Sequence, residues 1–283
     1  MSKDYIIHKA VEIAKVKKKL QKTVEEYSAS YWAFRKYDGC CAILKDGKTF
    51  SRTGEEYTCL NGIAQILKQA YPDDVFIGEA WWEGKDQFNL ISGEFRRQQV
   101  SDRLLFMIHD VIPRKDFDKG QCDIPFKLRG MHCQDLDWGY GSRIQFAQGW
   151  GAGQYGNAQE KCNELVEMGG YDGLVLRDPN ASWAVGAGTD GAIIKLKRKL
   201  SFDLRVLEVN RAIGEKTGRD VYKLVVDYKG RRLGVGSGVP HKLADVPTVG
   251  SIVEVEAMDY SSDGLLREPR FKGIRFDKLE PDV

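Results

Sequence analysis

The residues beyond about position 200 constrain the fold most. DLRVLEVNRAI, DVYKLVVDYKG, RRLGVGSGV, SIVEVEAMDYSS and FKGIRFDKLEP are short runs of alternating apolar and polar residues, each bounded by turn residues. Period-two alternation over so few positions builds strands rather than helices. Roughly five such strands in close succession predict a small antiparallel barrel.

Upstream, helix-like and strand-like patterns are mixed. Over residues 3–27, Ile6, Ile7, Ala10, Val11 and Ala14 recur at near-helical spacing among lysines, which predicts an amphipathic helix. YWAFRKYDGCCAIL and KDGKTFSR predict strands joined by an Asp46-Gly47 hairpin turn. VFIGEAWW, RLLFMIHDVI, YDGLVLRD and AIIKLKRKL read as further strands, and residues 61–71 and 158–169 as helices, the second closed by Gly169-Gly170. The expected layout is α+β: a larger domain over 1–200 with antiparallel sheets, then a β-barrel over 201–283.

Composition excludes several classes. The 283 residues carry 43 Lys+Arg against 41 Asp+Glu, a net charge of +2, so any grip on nucleic acid must come from local clusters. Arg96, Arg97, Arg198 and Lys199 are the candidates, and the run Lys15, Lys17, Lys18, Lys19, Lys22 reads equally well as a solvated face. No apolar run approaches the roughly 18 residues that cross a bilayer, and the start lacks a secretory apolar core. None of the six cysteines forms a C-x-x-C pair, which argues against a zinc ribbon and for reduced thiols in a cytoplasm.

Five segments carry candidate chemistry. Lys36-Tyr37-Asp38-Gly39 offers a lysine among aromatic neighbours (Tyr31, Trp32, Phe34), and an amine attacks only without its proton, so its pKa is expected to fall from about 10.4. Ser51-Arg52-Thr53-Gly54 follows. Glu79 ends one strand and Asp172 opens another. Lys195 and Lys197 alternate on one strand face, where two buried ammonium groups need an anion such as a triphosphate. Each segment alone also describes an ordinary surface charge; their order makes them a set.

That ordered set resembles the covalent nucleotidyltransferase superfamily of ATP-dependent DNA ligases, RNA ligases and mRNA-capping enzymes, over Lys36 to Lys278. FNLISGEFRRQ after the Glu79 strand, and the closing DGLLREPRFKGIRFDK, are most similar to compact phage DNA ligases of the T7 type. The resemblance implies that the barrel is an OB-fold and that Lys36 takes AMP from ATP as a phosphoramidate. It implies that Asp38 and Gly39 shape the turn, and that Arg52 contacts ribose or the nick phosphate. Glu79 would meet ribose hydroxyls or a metal, His109 would stack on adenine, Asp172 would bind metal, and Lys195 and Lys197 would hold phosphates. Arg275, Asp277 and Lys278, in R-x-D-K, would orient the β,γ-phosphates after a swing of the barrel about residues 198–203. The implied cofactors are ATP and Mg²⁺, with Mn²⁺ as a substitute. With 35 residues before Lys36 and no zinc-binding spacing, ATP is expected rather than NAD. The implied partner is nicked duplex DNA, clamped by a monomer of two domains. The setting is DNA repair, replication or recombination in a cytoplasm, a host's if the chain is viral. RNA ligation or capping is the rival activity; a non-catalytic DNA-binding barrel is the rival class.

Three positions depart from the pattern. Cys41 stands where an arginine is usual, Asp172 where a glutamate is, and His109 where a phenylalanine or tyrosine is. A thiol makes no guanidinium contacts, a shorter carboxylate shifts a metal, and an imidazole stacks more weakly.

Overall fold

The computed structural model describes residues 5–83, 88–136, 143–214, 218–261 and 263–283. The chain divides into two compact units, Met1–Lys197 and Arg198–Val283.

The first unit contains two main sheets. The six-stranded sheet runs Glu56–Tyr57, Lys48–Ser51, Cys40–Lys45, Asp74–Trp81, Leu105–Pro113, Ile144–Phe146, antiparallel except for the last pair. The four-stranded sheet runs Gly149–Trp150, Trp32–Tyr37, Tyr171–Arg177, Ile193–Leu196, all antiparallel. The hairpin turn forms as its residues require: Asp46 has φ 55° and Gly47 φ 74°, both left-handed, which matches the strand twist.

Alternation along the strands decides what each face buries. Ala42 and Leu44 face a core completed by Ile63, Ala64 and Leu67 of the Asn61–Ala70 helix, with Phe76, Phe106 and Ile108. Ile43, between Ala42 and Leu44, points the other way, into a cluster with Val75, Ile77, Ile112 and Trp183. The four-stranded sheet packs Leu174, Leu176, Ile194 and Leu196 against Cys162 and Leu165 of the Ala158–Met168 helix. That helix starts at Asn157, whose side chain accepts from the N–H groups of Gln159 and Glu160, and ends at Gly169, as read from the sequence.

The N-terminal expectation fails. Residues 3 and 4 lie outside the described residues, and the rest of 3–27 is not one helix. His8–Lys9 pairs in parallel with Gly186–Ala187, two one-turn 3₁₀ helices follow at Ile13–Lys15 and Lys18–Leu20, and an α-helix begins only at Val24. The physical reason is an edge. Ile193–Leu196 ends the four-stranded sheet, and the N-terminal chain lies along it: Val11 N–H donates to Ile193 O at 3.1 Å and Lys195 N–H to Val11 O at 2.9 Å. The α-helix waits for a capping box, in which Thr23 and Glu26 satisfy each other's backbone N–H.

The second unit is a five-stranded antiparallel sheet in the order Arg231–Val235, Asp220–Tyr228, Leu200–Ile213, Ile252–Ala257, Arg270–Ile274. Its long first strand serves both neighbours. Leu200–Arg205 pairs with Ile252–Ala257, and Val206 onward with Asp220–Tyr228, with a register shift between Val206 and Glu208 at the changeover. One parallel bridge, Ser237 with Arg270, brings the two edges together. Among the described residues the sheet is therefore curled, with no full ladder closing it into a barrel.

Candidate active site

Lys36 lies near the end of the Trp32–Tyr37 strand, opposite Gly173. The ladder between these strands slips between Tyr171 and Gly173, so Asp172 is the extra residue of a bulge. Gly173 makes the bulge possible: its φ is 130°, and a Cβ there would lie 2.1 Å from Leu196 O. The bulge turns Asp172 toward the lysine. Lys36 Nζ donates to Asp172 Oδ2 at 2.5 Å, while Asp172 Oδ1 lies 3.1 Å from Lys197 Nζ. One carboxylate thus bridges two ammonium groups.

Gly39 brings the opposite wall close. A Cβ there would sit 2.3 Å from Ala80 O and 2.9 Å from Glu79 Cγ, so only glycine lets the turn after Lys36 press against the Glu79 strand. Glu79 in turn feels the charges of Lys36, Asp38, Arg52 and Asp172. Burial pushes its carboxyl up to about 7; Asp38 and Asp172 add to the rise, and Lys36 and Arg52 oppose it. Asp172 behaves oppositely: burial is outweighed by Lys36 and Lys197, and its pKa is lowered.

The electrostatics of Lys36 correct the expectation of a depressed pKa. Burial does work against the ammonium, but Asp172, Glu79 and Asp38 outweigh it and raise the pKa above its ordinary value. In this state the amine keeps its proton.

Cys41 sits directly across the ladder from Glu79, and burial holds its thiol well above the usual range. The position of the usual arginine is therefore filled by a neutral group beside the carboxylate. Arg52 supplies a cation there instead, acting on both Glu79 and Cys41 from an exposed turn built by Ser51 and Gly54.

Lys195 lies across from Val175, with Nζ 3.9 Å from Glu12. Burial lowers its pKa, and Lys197, Lys36 and Lys15 add to the fall. His109 is also a bulge residue: the ladder shifts so that Ile77 faces Asp110 and Gly78 faces Ile108. Its ring stands 6.4 Å from that of Tyr37 at 22°, and its Nε2 is buried without a hydrogen-bond partner among the described residues. Burial, then the nearby Arg177, pushes its pKa down to about 3, so the ring is neutral.

Arg96 and Arg97 are exposed, and Arg97 pairs with Glu94 at 2.7 Å. In the second unit Arg198 stacks over Tyr260 at 5.6 Å, Lys199 is exposed, and Arg275, Asp277 and Lys278 form a cluster of their own.

Two groups of residues were not singled out from the sequence. Beneath His109, the buried Asp110 accepts from Arg129 at 2.8 Å and also from Arg177, whose Nη1 donates to His109 O at 2.6 Å. A charged residue inside the apolar run LLFMIHDVI was the available signal. The other is Asp203, in the second unit.

For a divalent cation, Glu79 and Asp172 offer hard oxygen donors, and the charge of each acts on Lys36. No group of three or more metal-binding side chains gathers among the described residues. Two carboxylates with bound phosphates and water still suit Mg²⁺, which keeps much of its hydration shell.

Residues 219–275 match the family model described as a DNA ligase OB-like domain. No curated protein matches the chain significantly by sequence. Among solved structures, one called Pmar-Lig_Pre is 21% identical with a TM-score of 0.64, over 97% of this chain and 68% of its own. A structure from work on Lig E DNA ligases, described as binding DNA with a minimal scaffold, is 19% identical with a TM-score of 0.59, over 94% of this chain and 99% of its own. The ATP-dependent DNA ligase of bacteriophage T7, in complex with ATP, is 18% identical with a TM-score of 0.53, over 95% of this chain and 98% of its own. The class is thus an α+β unit with antiparallel sheets followed by an OB-like unit. Within that class, the chain has the fold of the compact ATP-dependent DNA ligases.

Proposed function

We propose that the chain is an ATP-dependent DNA ligase that seals nicks with 5′-phosphate and 3′-hydroxyl ends, working in DNA repair, replication or recombination. The observation that carries this reading is the site itself. A bulge-borne carboxylate bridges two lysines, and the half-buried Glu79 acts on the first of them from the neighbouring sheet.

In the first step, Lys36 Nζ loses its proton and attacks the α-phosphorus of ATP; an N–P bond forms, the α–β P–O bond breaks, and pyrophosphate leaves. In the second, the 5′-phosphate oxygen of the nick displaces lysine from the AMP. In the third, the 3′-hydroxyl attacks the adenylylated 5′-phosphate and AMP leaves. Lys195 and Lys197 supply positive charge against the developing phosphate oxyanions, and Arg275 and Lys278 do so in the first step. Glu79 and Asp172 would hold a Mg²⁺ ion, which when bound would neutralise two of the three carboxylates that keep Lys36 protonated. His109, neutral and with an unpartnered nitrogen, stacks on or hydrogen-bonds the adenine. Arg96, Arg198 and Lys199 contact backbone phosphates, which carry no sequence information and so suit an enzyme that accepts any nick.

The test is incubation with α-labelled ATP and Mg²⁺, then a denaturing gel: a labelled band is expected for the protein and none for Lys36→Ala. An equally labelled variant would refute the assignment. Comparing nicked DNA, nicked RNA and GTP separates ligation of DNA from RNA ligation and capping.

A further inference from the structure

The second unit contains a buried carboxylate to which neither the sequence nor the proposed chemistry gives a role. Asp203 lies on the Leu200–Ile213 strand and is 3% exposed. A carboxylate so deeply buried is costly unless cations meet it. Two do. Arg275 Nη1 donates to Asp203 Oδ2 at 2.8 Å, and Lys278 Nζ lies 2.5 Å from the same oxygen.

The backbone around Asp203 fastens the same segment. Asp203 N–H donates to Asp282 Oδ2 at 2.7 Å, and Asp282 N–H donates to Asp203 O at 2.8 Å. Arg275 N–H donates to Ile252 O at 2.9 Å, on the strand that pairs with the Asp203 strand. The R-x-D-K segment is therefore tied to the sheet at both ends, with Asp203 between.

Three carboxylates share the two cations, but they are not equivalent. Asp277 takes Nε and Nη2 of Arg275 at 2.9 and 2.7 Å, and Asp282 takes Lys278 at 2.9 Å. The side chains of Asp277 and Asp282 are 65% and 40% exposed, against 5% for Asp203. The exposed carboxylates can give way to incoming phosphates at little cost. Asp203 sits on a strand and cannot. Phe276 and Leu279 point outward at 89% and 87% exposure, so apolar packing does not hold the segment in place.

We propose that Asp203 is the positioning residue of the R-x-D-K segment, fixing the separation and aim of Arg275 and Lys278 so that both meet the leaving pyrophosphate of ATP. It acts through those two cations and touches no substrate itself. The inference rests on the ligase reading above. Misplacing a charge by about an ångström commonly lowers a rate by roughly a hundredfold. The effect belongs to the first step only, because pyrophosphate is absent from the other two.

The test uses the full chain with D203N, which keeps the size and one acceptor but removes the charge, and D203E, which keeps the charge. Single-turnover formation of lysyl-AMP from ATP and Mg²⁺ is measured beside sealing of a nick already carrying 5′-AMP. For D203N we expect lysyl-AMP formation to fall roughly tenfold to a hundredfold, with sealing of the adenylylated nick within about twofold of the wild type. D203E recovers part of the first rate. Equal losses in both assays, with a lowered melting temperature, would make Asp203 a purely structural residue and overturn the proposal, as would an unchanged first step. Absence of lysyl-AMP in the wild-type protein would remove the ligase reading itself; adduct formation that D203N leaves intact removes only the role of Asp203.

Discussion

Lys36 is held as an ammonium, and that sets what its replacement must do. A lysyl-AMP requires a nitrogen that can lose a proton, so Lys36→Arg, which keeps the charge, is expected to be as inactive as Lys36→Ala by intact-protein mass spectrometry. Glu79 gives a pH signature. Its carboxyl ionises near 7 in the folded chain and at about 4.5 when unfolded, so the folded state binds more protons between these values. Stability from this group is fully present below pH 4.5 and is lost as pH rises through 7. Glu79→Gln is therefore expected to raise the melting temperature at pH 8, by the equivalent of roughly 2 kcal/mol after screening by solvent, and to change little at pH 5. Adenylylation runs the other way: it should rise through pH 7 as Glu79 becomes able to hold a cation, and Glu79→Gln should flatten that rise. A wild-type rate independent of pH between 6 and 8 would count against Glu79 as the metal-binding group.

At the level of elements, the site is made by two irregularities and two close approaches. Asp172 and His109 are both bulge residues, and Gly39 and Gly173 let strands approach where a Cβ would collide. Gly173→Ala adds a methyl 2.1 Å from Leu196 O at a φ that L residues rarely adopt. Roughly 2–4 kcal/mol of destabilisation is expected in urea titration, with loss of adenylylation because the Asp172 bulge cannot form. Thr23→Ala should cost only about 1 kcal/mol and leave activity intact, since Thr23 caps the exposed end of its helix, away from the Trp32–Tyr37 strand. These contrasts show what the chain made legible. Strands were readable because alternation is a local signal, and the Ala158–Met168 helix because Asn157 and Gly169 punctuate it. The bulges were not, because a one-residue slip depends on the partner strand. The N-terminal segment departs from its helical periodicity because Val11 and Ile194 meet only in the folded sheet, where edge pairing outweighs that periodicity. Asp203 escaped notice for a similar reason: its partners are more than seventy positions away along the chain.

At the scale of the whole molecule, a net charge of +2 leaves the proposed grip on DNA to a few local cations. Arg97 is exposed and paired with Glu94 at 2.7 Å, and Lys199 is exposed as well. Each phosphate neutralised by a cation releases condensed counterions, so the logarithm of affinity falls with the logarithm of salt by about 0.9 per contact on duplex DNA. Nick sealing with subsaturating DNA should therefore drop steeply between about 50 and 200 mM salt, while lysyl-AMP formation, which needs no DNA, should change far less. Lys199→Ala should reduce the slope of the binding plot by about one and weaken binding alike on nicks of any sequence. Arg97→Ala should change the slope by less than one full contact, because a phosphate must first displace the Glu94 carboxylate from its guanidinium. A slope that Lys199→Ala leaves untouched would place the phosphate contacts elsewhere on the chain. A flat salt profile for the wild-type protein would mean that the duplex is not held through its backbone at all, and a site that accepts every nick would then need another means of ignoring sequence.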